Sequence, residues 1–148
     1  MDLDIRFKKL RIDAVVPAYA HGSAEDAGLD LTYCADHPAA IAPGGRSLLS
    51  TGIAIELPSG FEGQIRPRSG LALSRGLTIL NAPGTIDPGY RGEVRVLLIN
   101  LGDTTQTVNP GERIAQLVIS QYTTVRLREV SELETSDRGD SGFGGSGA

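Results

Sequence analysis

The sequence predicts an all-β fold: a jelly-roll-like barrel or sandwich with one short α-helix and a flexible C-terminal arm. Three observations carry this. Short apolar or alternating runs recur along the chain, the period-2 pattern of half-buried strands. Gly (19) and Pro (8) together make 27 of 148 residues, about 18% against a typical ~12%. Turn signals also fall between the runs: PSG (58–60), NAPG (81–84), DPGY (87–90) and NPGE (109–112), each with Pro or Gly where a turn needs a fixed or positive φ.

Taken in order, the expected strands are IRFKKLRI (5–12), LDLTYC (29–34), SLLSTGIAIEL (47–57), GQIRP (63–67), LTILN (77–81), VRVLLIN (94–100), RIAQLVISQY (113–122) and VRLREV (125–130). Regularly spaced turns between them imply hairpins. One segment departs from the pattern. In RSGLALSRG (68–76) Ser69 can cap a first turn, Leu71, Ala72 and Leu73 favour helix, and Gly76 can end it in the left-handed conformation. The start of this helix gathers Arg68, the Ser69 hydroxyl and free backbone amides, which suits an anion such as phosphate as well as an ordinary capped surface helix.

From about Ser131 the apolar pattern stops, and only Leu133 and Phe143 are bulky and apolar beyond it. Residues 1–131 are therefore expected to form one β domain and 132–148 a Gly-rich arm without a core of its own. Gly142, Gly144 and Gly147 satisfy G-x-G-x-x-G, but no strand precedes them and no helix can follow, so this is not a dinucleotide fingerprint. Gly-rich backbone can still approach a phosphate closely, with Arg138 adding charge and Phe143 an aromatic face. A disordered tail has the same composition.

Composition narrows the function. A formal charge of −4 provides no basic field for nucleic-acid backbone. Cys34 is the only cysteine, so an intrachain disulfide and a thiolate metal cluster are both excluded, and His21 and His37 are too few for a His-rich zinc site. The N-terminal residues lack the apolar stretch of a secretory signal, and the longest aliphatic run, 96–99, is far below the ~20 residues of a membrane span. The expectation is a soluble protein of the reducing cytosol, with no nucleic-acid or membrane partner.

The densest chemistry lies in 81–100, NAPGTIDPGYRGEVRVLLIN. Asp87 precedes a Pro-Gly turn with Tyr90 and Arg91 beyond it. On a hairpin such a carboxylate can be held rigidly at a cleft as a general base, or it can merely initiate the turn. Asp30 alternates with Leu29 and Leu31, so it is either solvated or aimed into a site. No Walker motif, Cys-rich metal motif or G-x-S-x-G elbow competes. A capped helix start, a hairpin carboxylate and a Gly-rich tail are together the parts of a nucleoside polyphosphate site.

Five stretches, AGLDL (27–31), RPRSGLAL (66–73), NAPGTIDPGYRGE (81–93), RIAQLVI (113–119) and RGDSGFGGSG (138–147), occur in the order and near-spacing of the homotrimeric deoxyuridine triphosphatases. The chain resembles that family over nearly its whole length. The resemblance implies a jelly roll with one short helix, three subunits around a threefold axis, and active sites shared between subunits. It implies Mg²⁺-dependent hydrolysis of dUTP to dUMP and pyrophosphate by water attack at the α-phosphorus. This keeps uracil out of DNA and supplies dUMP for thymidylate synthesis.

Carried over by position, Asp87 orients and deprotonates the water, a role for a rigid carboxylate ionised at neutral pH. Arg68, Ser69 and Gly70 resemble the phosphate clamp, and Gln116 a glutamine that assists it. Asp30 resembles the aspartate that reaches the metal through its water shell. Asn81, Thr85, Ile86 and the backbone around Arg95 correspond to positions enclosing uracil. Tyr90 resembles the tyrosine beneath the deoxyribose, which leaves no room for a 2′-hydroxyl. In the arm Phe143 corresponds to the residue stacking on uracil, and Arg138, Gly144, Gly145 and Ser146 to those holding the terminal phosphates. The arm departs from the family's usual pattern at Asp140, which adds a negative charge, and at Gly145, where a hydroxyl is usual. Two rivals share the scaffold: a dCTP deaminase, whose extra glutamate signature is not evident, and a non-catalytic nucleotide-binding protein, which has no need of Asp87.

Overall fold

The structure is a computed structural model and describes residues 2–147. The last residue of the expected arm, Ala148, lies outside them. In sequence order the elements are β1 (Arg6–Lys9), β2 (Leu29–Thr32), β3 (Ala39–Ile41), β4 (Arg46–Glu56), β5 (Phe61–Arg66), α1 (Ser69–Arg75), β6 (Leu77–Ile79), β7 (Gly84–Ile86), β8 (Glu93–Asn100), β9 (Gln106–Val108) and β10 (Arg113–Gln121). They form antiparallel sheets ordered β1-β4-β8-β6 and β2-β10-β5-β7, with β3-β9 as a separate pair. Among the described residues the sheets stay open, so the expected fold takes its sandwich form and not its barrel form.

The core explains the sandwich. Along β8, Val94, Val96 and Leu98 are buried while Glu93, Arg95 and Leu97 between them are not, the alternation of a strand with one face inward. They join Ile53 and Leu49 of one sheet to Leu31, Ile65 and Leu117 of the other in a single cluster. Full burial of one such aliphatic residue contributes about 1.5–3 kcal/mol. Leu98, with 1% of its surface exposed, sits at the middle of this seam. Leu98→Ala is expected to lower unfolding free energy by about 2–5 kcal/mol, read from the urea midpoint. A loss below about 1 kcal/mol would place the core elsewhere.

Several local expectations are corrected. Three-residue strands β3, β7 and β9 were not anticipated, being too short to show a period. Segment 125–130 is no strand: it has no pairing partner among the described residues, and Val125 and Leu127 are exposed. The helix is present, but Ser69 is its first residue and not its cap. The cap position is Arg68, in extended conformation, and its guanidinium makes no capping hydrogen bond. Gly76 ends the helix at φ +64°, as expected, and its N–H donates to the Ala72 carbonyl. The Asp87–Tyr90 and Asn109–Glu112 turns close through Tyr90 N–H to the Asp87 carbonyl and Glu112 N–H to the Asn109 carbonyl, both 3.1 Å.

Candidate active site

The hairpin forms the first cleft. β7 pairs with β5 (Gln64 opposite Thr85, Ile65 opposite Gly84), and β8 pairs with β4 (Ser50 opposite Arg95). These pairings place Asn81, Thr85, Ile86, Asp87, Tyr90 and Arg95 around one cavity, walled by Leu48 and Ile65. All six are expected base, sugar and water-handling residues. Asp87 is exposed, and among the described residues nothing donates a hydrogen bond to its carboxylate. Its backbone carbonyl instead fixes the turn to Tyr90. A carboxylate whose backbone is held while its oxygens stay free is suited to accepting a proton from a bound water.

A second cleft collects Asp30, Arg68, Ser69, Gly70 and Gln116, the expected phosphate and metal residues. The register of β10 builds it: Gln116 lies opposite Asp30 on one side and Arg66 on the other. Gln116 Nε2 donates to the Pro67 carbonyl at 2.9 Å, which fixes the amide beside the α1 start. Gly28 leaves room for this amide, since a Cβ there would overlap Gln116 Oε1. Asp30 is not solvated, as one sequence reading allowed: its carboxylate-bearing side chain is 17% exposed and lies between Arg68 Nε at 3.4 Å and Arg113 Nη1 at 3.0 Å. The result is a groove that sets guanidinium and amide donors beside the paired Asp30 carboxylate, with Glu25 and Asp26 also on its wall.

The two clefts are distinct within one subunit. Ile65 lines the first and Arg66 the second, and neighbouring residues of a strand face opposite sides of the sheet. The third expected group stands apart from both. Arg138, Phe143, Gly144, Gly145 and Ser146 are all exposed, and among the described residues no hydrogen bond joins 123–147 to the rest of the protein. Arg138 Nε donates within the arm, to the Ser141 carbonyl at 2.8 Å.

Comparison with known proteins fits this geometry. The family model described as dUTPase matches residues 15–147. The chain belongs to the dUTPase family. It is 53% identical over 145 residues, 98% of this chain and 97% of the relative, to a protein of Solibacter usitatus named deoxyuridine 5'-triphosphate nucleotidohydrolase. A protein of the same name from a Hydrogenobaculum species is 56% identical over 140 residues, 95% of each sequence. The solved Staphylococcus bacteriophage 80alpha dUTPase with dUPNHPP superposes with a TM-score of 0.87 at 28% identity, covering 98% of this chain and 99% of that one. The jelly-roll-like β fold is thus that of dUTPase structures.

Four residues at these two clefts were not anticipated. Arg113 pairs with Asp30 from the far end of β10. Glu93 lines the hairpin cleft, and its carboxylate accepts Gly52 N–H at 2.9 Å. His21 and Asp26, given no role from sequence, line the second cleft. The His21 backbone N–H at 2.6 Å, then its ring, hold the Asp26 carboxyl below its ordinary range. Spatial pairing reveals Arg113 and Glu93, whose partners lie on other strands, while His21 and Asp26 pair within one loop. Cys34 is buried, which pushes its thiol up and makes it a poor nucleophile.

Proposed function

We propose that the protein hydrolyses dUTP to dUMP and pyrophosphate, as a Mg²⁺-dependent homotrimer of the cytoplasm. The observation that carries this reading is the division of the expected residues into a nucleoside cleft around Asp87 and a phosphate cleft around Arg68. In a single subunit the sheet separates the two. A nucleotide using both sets is therefore held by two copies, which is the reason for a trimer whose sites lie between subunits.

In the nucleoside cleft Asn81, Thr85, Ile86 and the backbone at Arg95 enclose uracil, and Tyr90 lies under the deoxyribose. Asp87 takes a proton from the attacking water. The water oxygen bonds to the α-phosphorus while the bond from that phosphorus to the bridging oxygen breaks, and pyrophosphate leaves. Arg68, Ser69, Gly70 and Gln116 hold the phosphates and stabilise charge that builds on the bridging oxygen. Phe143 stacks on the base, and Arg138, Gly144, Gly145 and Ser146 cover the terminal phosphates, closing the site against bulk water.

The donor set suits Mg²⁺ of a particular kind. Among the described residues no three His, Cys, Asp or Glu groups converge, and Asp30 is already paired with two guanidinium groups. Such a carboxylate suits an ion that keeps its waters and is bound mainly by substrate phosphates. When bound, Mg²⁺ would neutralise charge on the triphosphate, and Asp30 would hold it through its water shell. No helix of the described residues is long and apolar enough to cross a membrane.

The test is pyrophosphate release from dUTP, dCTP, dTTP and UTP, with Mg²⁺ and with EDTA. Turnover confined to dUTP and abolished by EDTA is expected. Ammonia from dCTP, or dUTP binding without turnover, would replace this reading with a deaminase or a binding protein. Tyr90→Ala should lower the ratio of kcat/KM for dUTP over UTP by about tenfold or more, since the 2′-hydroxyl then has space. An unchanged ratio would remove the steric role of Tyr90.

A further inference from the structure

The geometry points to Gly92 as a specificity-determining position, because its missing side chain gives the Tyr90 ring its seat. The ring doubles back over the backbone two residues on. Its hydroxyl donates to the Glu93 carbonyl at 2.9 Å, and Tyr90 N–H donates to the Asp87 carbonyl at 3.1 Å. Between these anchors the ring lies against Gly92. A Cβ there would sit 2.6 Å from Tyr90 Cζ and 3.0 Å from Cε2, and would overlap the hydroxyl oxygen. Real Cβ atoms do not come that close.

Backbone conformation does not require the glycine. Gly92 is not among the glycines at positive φ, so alanine fits its φ without strain. Gly89, in the same hairpin, has open space where its Cβ would be. Gly92 therefore serves one neighbour, the Tyr90 ring. The acceptor of the Tyr90 hydroxyl is itself fixed: Glu93 begins β8, and its carboxylate accepts Gly52 N–H at 2.9 Å and the Ser50 hydroxyl at 3.4 Å. A methyl group at 92 pushes out the hydroxyl end of the ring, breaking its hydrogen bond to the Glu93 carbonyl, and leaves the strand in place. The displaced ring no longer lines the cleft in the same place beside Asp87.

This rests on the proposed reading that Tyr90 lies beneath the deoxyribose. The experiment compares kcat/KM for dUTP and UTP in wild type, Y90A, G92A, Y90A/G92A and G89A. G92A is expected to lower the dUTP/UTP ratio about tenfold or more, with G89A unchanged. The double variant should be no worse than Y90A, since the seat matters only while the ring is there. A G92A ratio within about twofold of wild type, beside a lowered Y90A ratio, would overturn the inference. So would losses that multiply in the double variant. An unchanged Y90A ratio instead defeats the reading of Tyr90, and the role of Gly92 falls with it. If G92A does not fold, recovery of folded protein in Y90A/G92A supports the seat, and failure of both overturns it.

Discussion

Asp87→Asn is expected to bind dUTP about as well as the parent while kcat falls by about 10²–10⁴, or roughly 3–5 kcal/mol of barrier. The size of this effect follows from how little else the carboxylate does. Among the described residues its oxygens accept no hydrogen bond, and the turn is held by its backbone carbonyl. Asparagine keeps that backbone bond and nearly the same shape. It lacks the charge and proton affinity that a general base needs. Melting temperature should therefore match wild type, and the loss should appear in kcat alone. A matching rise in KM, or a large drop in stability, would mean that Asp87 positions the hairpin and is not the base.

Removal of the arm by truncation after Ser136 has the second large effect. Its residues are exposed and no hydrogen bond joins 123–147 to the body among the described residues, so they contribute little to the fold. Urea unfolding and melting temperature are expected to be unchanged. On the proposed reading activity should fall by about 10²-fold, because Phe143 and Arg138 would no longer cover the nucleotide and exclude water. Separate size measurements on the truncated protein decide the alternative: conversion to monomer would show the arm to be an assembly element.

The fold was legible where the strands are long and half-buried. β8 and β10 declare themselves through long runs in which apolar residues recur, alternating cleanly with others along β8, and Gly76 marks the helix end. Three-residue strands carry no period, so β3, β7 and β9 become strands only through their pairing. Segment 125–130 alternates convincingly, yet alternation predicts a face and not a partner; with none among the described residues, Leu127 is 94% exposed. The site divides the same way. Asn81 to Arg95 converge because they are neighbours in sequence on one hairpin. Asp30, Arg68, Arg113 and Gln116 meet only through the register of β2, β10 and β5. The Asp30 ion pairs could not be read in advance for that reason, whereas His21 and Asp26 pair locally, five residues apart in one loop that carries no periodic signal. The arm residues were named from a motif, and their place over a nucleotide is a proposal that the truncation tests.

A hybrid of two defective subunits tests the shared site most directly. Asp87→Asn and Arg68→Ala subunits, each nearly inactive alone, would be co-expressed with different tags and the mixed assemblies isolated for dUTP turnover. If hairpin and phosphate clamp come from different subunits, every mixed trimer keeps one of its three sites with both wild-type groups, about a third of sites. Activity near that fraction is expected. Mixed assemblies as inactive as either parent would show that both residues serve one subunit's site, contradicting the account.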